Sequence, residues 1–249
     1  MLGVPMSRLP FQIKICGVTT PQDAEAVVEA GADAIGLNFY SGSKRCVSLQ
    51  QAWEIAHAIP SHVQKVGVFV NPLGEDVDDA MTAAALDMVQ FHGKESPEFL
   101  AAFGKTHTIP MIKALRWEQD GRLMDNYLKH CVELGCKQSW VLIDSWDNDL
   151  FGGTGIPLKW DTIAMWQKHG DTLSRWQQLR PRVNPASAVS IILAGGLSPK
   201  NVATAIQTAR PIAVDTASGV ESAPGKKDPA KVKAFIDEAK RAFDEVAKP

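Results

Sequence analysis

The sequence lacks a long apolar run, an excess of charge of either sign, and any cysteine or histidine arrangement with metal-ligand spacing. Its longest apolar stretches, such as "VSIILAGG", fall far short of a membrane span. The 26 basic and 28 acidic residues are well mixed and leave a net charge of −2, so no basic face points to nucleic acid and no acidic tract to disorder. Four cysteines stand at 16, 46, 131 and 136 without a CxxC pair, and the six histidines form no HExxH set. A chain of 249 residues, 45% of them hydrophobic, is long enough to bury a core without disulfides. The expectation is reduced thiols in a cytoplasmic protein with no protein-held metal. The opening "MLGVPMSRLP" has no charged start followed by an apolar core and is read as no signal peptide.

What is present is a repeated unit: a short apolar run, then an amphipathic helix. "FQIKIC" (11–16) is the first strand, and Thr20, Pro21 and Asp23 open the helix behind it, which stops at Gly31. "DAIGLNF" (33–39) precedes a helix with Ser48 as N-cap and Gln51 completing a capping box. "VQKVGVFV" (63–70) precedes the weakly patterned 74–85, and "LDMVQFH" (86–92) a helix begun by Ser96 and Pro97. "IPMIKAL" (109–115) leads to a helix near 121–134, and "SWVLID" (139–144) to one beginning near 158. "AVSIILAGG" (188–196) leads to "SPKNVATAIQTA", and "IAVDTASG" (212–219) to a helix capped by Asp228 and Pro229. Strands separated by crossover helices run parallel. Eight such units predict one closed (β/α)8 TIM barrel over residues 1–249. A doubly wound open sheet competes less well, because its phosphate glycines belong after the first strand. Residues 161–187 exceed a normal barrel helix and read as an elongated or doubled helix, either an extension on the exterior or a subunit contact.

Active sites of such barrels collect at the C-terminal ends of the strands. The polar residues at those positions are Cys16, Arg45, His92, Asp144 and Asp215, with glycine turns at Gly195–Gly196 and Ser218–Gly219. Small-residue turns at the ends of strands seven and eight expose backbone N–H groups and predict a phosphorylated small-molecule substrate. Asp144 closes the apolar "WVLID". A carboxyl among apolar walls binds its proton more tightly and suits proton donation near neutral pH, while capping a loop is its ordinary alternative. Alternation along the first strand turns Lys14 and Cys16 inward, and Ile13 and Ile15 toward the helices. A lysine on the cysteine's own side favours thiolate, and a buried lysine needs a partner, for which Asp215 on the adjacent strand is the candidate. His92 reads either as an oriented strand-end histidine or as a substrate contact.

These positions lie in segments that resemble one family. "KICGVTTPQDAEAVVEAGADAIGLNFYSGSKRCVS", "VGVFVN", "VQFHGKES", "LIDSWDNDLFGGTG", "LAGGLSPKNV" and "VDTASGVESAPGKKDP" run in order through residues 14–229. They resemble the phosphoribosylanthranilate isomerases of tryptophan biosynthesis, and "KICG" with "SGVESAPGKKD" is a specific combination. The resemblance implies a single barrel without cofactor, monomer or homodimer, that performs an Amadori rearrangement of a phosphoribosyl substrate. It implies Cys16 as general base, Asp144 as general acid and Arg45 on the anthranilate carboxylate. It leaves the phosphate end to the two glycine turns, and His92 and Asp215, as polar strand-end residues, are counted beside them as candidate substrate contacts. Ala217 stands where a polar residue is common and Cys46 where an aromatic is frequent. Another phosphosugar barrel enzyme would share the glycine turns, but indole-glycerol-phosphate synthase would need a lysine acid and a pentulose phosphate epimerase a metal. A non-catalytic phosphosugar-binding barrel is the remaining alternative, and it would be indifferent to Cys16 and Asp144.

Overall fold

A computed structural model describes residues 9–117, 121–136, 140–144, 160–169 and 191–248. Eight parallel strands close into a barrel in chain order: β1 (Ile13–Cys16), β2 (Ala34–Asn38), β3 (Gln64–Phe69), β4 (Met88–Phe91), β5 (Met111–Arg116), β6 (Trp140–Asp144), β7 (Ile191–Ala194) and β8 (Ala213–Thr216). Closure is direct, with Lys14 of β1 paired to Ala34 on one side and Asp215 on the other.

The helices follow from their caps. Thr20 accepts from the Asp23 amide at the start of α1 (Pro21–Glu29), and proline stands in its first turn. The predicted capping box of Ser48 and Gln51 opens α2 (Leu49–Ala58). The weakly patterned third segment forms α3 (Gly74–Ala84), and Ser96 caps α4 (Pro97–Thr106). Next come α5 (Arg122–Glu133), α6 (Trp160–His169) and α7 (Val202–Ala209); Asp228 accepts from two amides at the start of α8 (Pro229–Ala247). After β8 a short 3₁₀ turn, Ser218–Val220, precedes an antiparallel pair, β9 (Glu221–Ala223) and β10 (Lys226–Lys227).

Alternation along the strands divides the core in two. Ile13, Ile15, Val89, Phe91, Val141, Ile143 and Val214 join the layer between barrel and helices. Ala34, Val66, Met88, Ile112, Leu142, Ile192 and Ala213 fill the interior, plugged by Leu9 and Phe11 at the end where the strands begin. Apolar filling thus ends below the opposite rim, and the inward positions there are polar: Cys16, Gln90, Asp144 and Asp215.

Within the long segment 161–187, α6 lies on the barrel exterior. Ile163 and Trp166 are buried, and Trp166 Nε1 donates to Asp125 of α5 at 2.9 Å. Residues 170–187 fall outside the described residues.

Candidate active site

Parallel closure brings the last residue of β1 and the last of β6 to one rim. Cys16 and Asp144 are both partly exposed there and both point inward by strand alternation. Gly36 of β2 stands in register with Cys16, and a Cβ on it would lie 2.7 Å from Cys16 Sγ and 3.1 Å from Lys14 Nζ. The sulfur therefore rests against bare backbone, with an ammonium on the same side.

Lys14 is fully buried, and its Nζ donates to Asp215 Oδ1 at 2.9 Å, the pairing expected from the sequence. Burial opposes the charge of Lys14, but Asp215 and Cys16 outweigh it and hold the ammonium above its ordinary value. For the thiol the balance is reversed. Burial pushes Cys16 up, Lys14 and Lys227 pull it down, Asp215 adds to the rise, and the net effect is upward. Lys14 thus acts on the thiol in the direction the sequence suggested, and removal from water outweighs it. Asp215 is 6% exposed and committed through Oδ1 to Lys14, so its role in the structure is that of an ion-pair partner.

His92 lies beyond the end of β4 and is aimed at the acid: its Nε2 is 3.3 Å from Asp144 Oδ2. Gln90 Nε2 lies 2.9 Å from His92 Nδ1 and holds the ring so that Nε2 faces Asp144. In this orientation Gln90 Oε1 is buried without a hydrogen-bond partner among the described residues. The Asp144 backbone is itself fixed, its carbonyl accepting from the Trp117 amide at 2.9 Å. These contacts fix the ring at the strand end and leave it on the rim beside Asp144.

The basic loop after β2 folds back on its strand. Val47 N donates to Asn38 O at 2.9 Å, and Ser43 Oγ accepts from both Arg45 N and Asn38 Nδ2. Lys44 is exposed, whereas Arg45 is half-buried and meets an anion of the chain itself. Its Nε and Nη2 donate to Glu221 Oε1 and Oε2, both at 2.7 Å. Glu221 Oε1 also accepts from Lys227 Nζ at 3.0 Å, and Lys227 donates to the carbonyls of Cys16 (2.7 Å) and Ala217 (3.2 Å). Burial opposes the charge on Glu221, and the two cations overcome it and hold its carboxyl below the usual value.

The two glycine turns lie on the same rim. Gly195 and Gly196 adopt positive φ (89° and 65°), a region open to glycine and costly for other residues. The turn at Ser218–Gly219 begins the 3₁₀ helix, with Ser218 exposed. Thr216 Oγ1 donates to Leu197 O at 2.7 Å and joins the two turns. The structure thus gathers Cys16, Arg45, His92, Asp144 and both turns at one end of the barrel.

Sequence reasoning passed over four residues here. Glu221 and Lys227 sat within the quoted "SGVESAPGKKD" without a role. Gln90 was visible as a polar residue at an inward strand position. Arg116 ends β5 in register with Asp144, one residue past the predicted strand. Among the described residues no group of three or more His, Cys, Asp or Glu stands close enough to hold a metal ion, and none of the four cysteines is joined in a disulfide.

The family model described as N-(5'phosphoribosyl)anthranilate (PRA) isomerase matches residues 13–238. The N-(5'-phosphoribosyl)anthranilate isomerase of Geobacter sulfurreducens is 39% identical over 229 residues, 92% of this chain and 98% of that protein. The crystal structure of phosphoribosyl anthranilate isomerase from Thermotoga maritima superposes with a TM-score of 0.74 at 36% identity, covering 93% of this chain and 99% of that one. A phosphoribosyl anthranilate isomerase in complex with reduced 1-(o-carboxyphenylamino)-1-deoxyribulose 5-phosphate superposes with a TM-score of 0.71 at 34% identity and the same coverage. A matched segment reaching from β1 into α8 spans every strand of the barrel, and the chain belongs to the N-(5'-phosphoribosyl)anthranilate isomerase family.

Proposed function

We infer that the chain is an isomerase of tryptophan biosynthesis. It converts N-(5-phosphoribosyl)anthranilate to 1-(2-carboxyphenylamino)-1-deoxyribulose 5-phosphate, with Cys16 as general base and Asp144 as general acid. One observation carries the assignment of roles: a thiol beside a buried ammonium and a carboxyl held by a histidine share the rim of a closed parallel barrel. The substrate is long and anionic at both ends. The glycine turns after β7 and β8 suit its phosphate, and Arg45 after β2 suits its aromatic carboxylate, so the pentose lies between acid and base. Holding both ends converts the chemistry into a positioned unimolecular step.

Asp144 donates its proton to the ribose ring oxygen as the C1′–O bond breaks. The anilino nitrogen lone pair forms the C1′=N bond of a protonated Schiff base. That cation acidifies C2′–H, the thiolate of Cys16 removes the proton, and the C–H electrons form the C1′=C2′ bond of the enolamine while nitrogen becomes neutral. Proton transfer from the C2′ hydroxyl to C1′ completes the ketose. The iminium nitrogen is the electron sink. His92 acts through Asp144, steadying the carboxyl group that must give up its proton and later lie beside the developing product.

The test is turnover of freshly made N-(5-phosphoribosyl)anthranilate, followed by loss of anthranilate fluorescence. Cys16→Ala and Asp144→Asn are each expected to lower kcat more than about a hundredfold with little change in KM, within the roughly 10²–10⁴ that a positioned acid or base supplies. Near-normal turnover by Cys16→Ala would remove the base assignment.

A further inference from the structure

The contact between Arg45 and Glu221 uses one edge of the guanidinium. An arginine carries five N–H groups in a rigid plane, and the Nε/Nη2 edge is occupied by the two oxygens of Glu221 at 2.7 Å each. The terminal edge, made by Nη1 and the second hydrogen of Nη2, retains the spacing that a carboxylate accepts in parallel. The Glu221 side chain is 5% exposed and that of Arg45 25%, so the pair is buried on the glutamate side and open on the arginine side. The arginine stem is equally confined. It passes over Gly17, where a Cβ would come within 2.4 Å of Arg45 Cδ, so the residue after Cys16 is the floor on which Arg45 lies.

A glutamate bound to the arginine alone would compete with an incoming carboxylate. Here Oε1 is shared with Lys227, which is 2% exposed and also clamps the Cys16 carbonyl. Among the described residues around the end of β1, three cations, Lys14, Arg45 and Lys227, face two carboxylates, Asp215 and Glu221. Arg45 is the most exposed of the three cations.

We propose that Glu221 is the positioning residue for the substrate's aromatic carboxylate: it grips Arg45 by the Nε/Nη2 edge, turns the terminal edge toward the mouth, and locks that edge to the strand of Cys16 through Lys227. The substrate then reaches the thiol in a register set by a carboxylate it never touches. This rests on Arg45 as the receptor of the anthranilate carboxylate.

The experiment compares kcat and KM for N-(5-phosphoribosyl)anthranilate with those for N-(5-phosphoribosyl)aniline, which lacks the carboxylate, in wild type, Arg45→Ala, Glu221→Gln and the double variant. Glu221→Gln is expected to lower kcat/KM for the anthranilate substrate by roughly tenfold to a hundredfold, mostly through KM, and to leave the aniline substrate nearly as in wild type. In the Arg45→Ala background the same substitution should add nothing, because the two residues act as one unit. Glu221→Asp keeps the charge on a stem one methylene shorter, serves if Glu221→Gln does not fold, and should lose part of the same preference. If Arg45→Ala loses the preference for the carboxylate and both Glu221 variants keep it, the proposal is overturned while the arginine assignment stands. If Arg45→Ala also keeps it, the arginine assignment falls and this proposal with it. A uniform loss on both substrates would mark Glu221 as purely structural and overturn it as well.

Discussion

At Cys16 the charges that surround the sulfur compete with its removal from water. Burial has the largest effect and raises the thiol above its ordinary value; Lys14 lowers it, Asp215 raises it, and Lys227 lowers it. The sign for activity follows directly. With Cys16 as the proposed base, which works deprotonated, kcat/KM should climb with rising pH through the Cys16 titration. Removing the ammonium should push the thiol further up. Lys14→Met also strands Asp215, at a cost of about 3–5 kcal/mol for a broken buried pair, so Lys14→Met/Asp215→Asn is the companion variant. The rate of iodoacetamide alkylation of Cys16 against pH reads the titration, and an unchanged midpoint in both variants would show that Lys14 does not tune the sulfur.

Among the elements, the turns after β7 and β8 carry the tightest constraint. A Cβ on Gly219 would stand 1.9 Å from the carbonyl oxygen of Leu197, a backbone atom that no rotamer change moves aside. Gly219→Ala must therefore part the two turns on which the phosphate reading rests. It is expected to cost about 1–3 kcal/mol of stability and to weaken inhibition by inorganic phosphate together with substrate binding. Gly74, at the first position of α3, would meet nothing within 4 Å of an added methyl, and Gly74→Ala should stabilise by about 0.4–1 kcal/mol with unchanged kinetics. Thermal unfolding beside phosphate inhibition separates the two outcomes, and a Gly219→Ala enzyme with native phosphate affinity would place the phosphate elsewhere. The elements themselves were open to reading: proline and cap residues start α1, α2, α4 and α8 where the side chains demanded. Strand ends were less so, since β5 runs on to Arg116 through pairing with β6 that no local pattern announces.

Across the whole molecule, a further buried ion pair ties the wall of the barrel together. Lys113 of β5 donates to Glu95 at 2.7 Å and to the carbonyls of Phe91 and Gly93, while Glu95 accepts from the amides of Asn71 and Gly93. Both side chains are 1% exposed, so the pair braces the loops after β3 and β4, from the second of which His92 reaches Asp144. Burial lowers the Lys113 ammonium below its ordinary value even with Glu95 beside it. Lys113→Met should destabilise by about 3–5 kcal/mol because it leaves Glu95 buried without a counter-charge, whereas Lys113→Met/Glu95→Gln should recover part of the loss. Urea unfolding of the two variants measures this, and equal midpoints would mean that the stranded charge carries no penalty.

The amino-acid sequence by itself determined the alternation of strand and helix, the inward face of each strand, and the polar residues that end the strands. Those are local properties: caps, periods of 2 and 3.6, and glycine in turns depend on neighbours within a few positions. The pair of Lys14 and Asp215 was legible because a closed barrel of eight strands makes the first and last adjacent. Only the tertiary structure decided that Arg45 meets Glu221, 176 residues away, that Lys227 reaches the Cys16 carbonyl, and that His92 turns to Asp144. It also decided the proton balance of Cys16, because how much water a sulfur loses is set by everything folded around it and is written in no stretch of the chain.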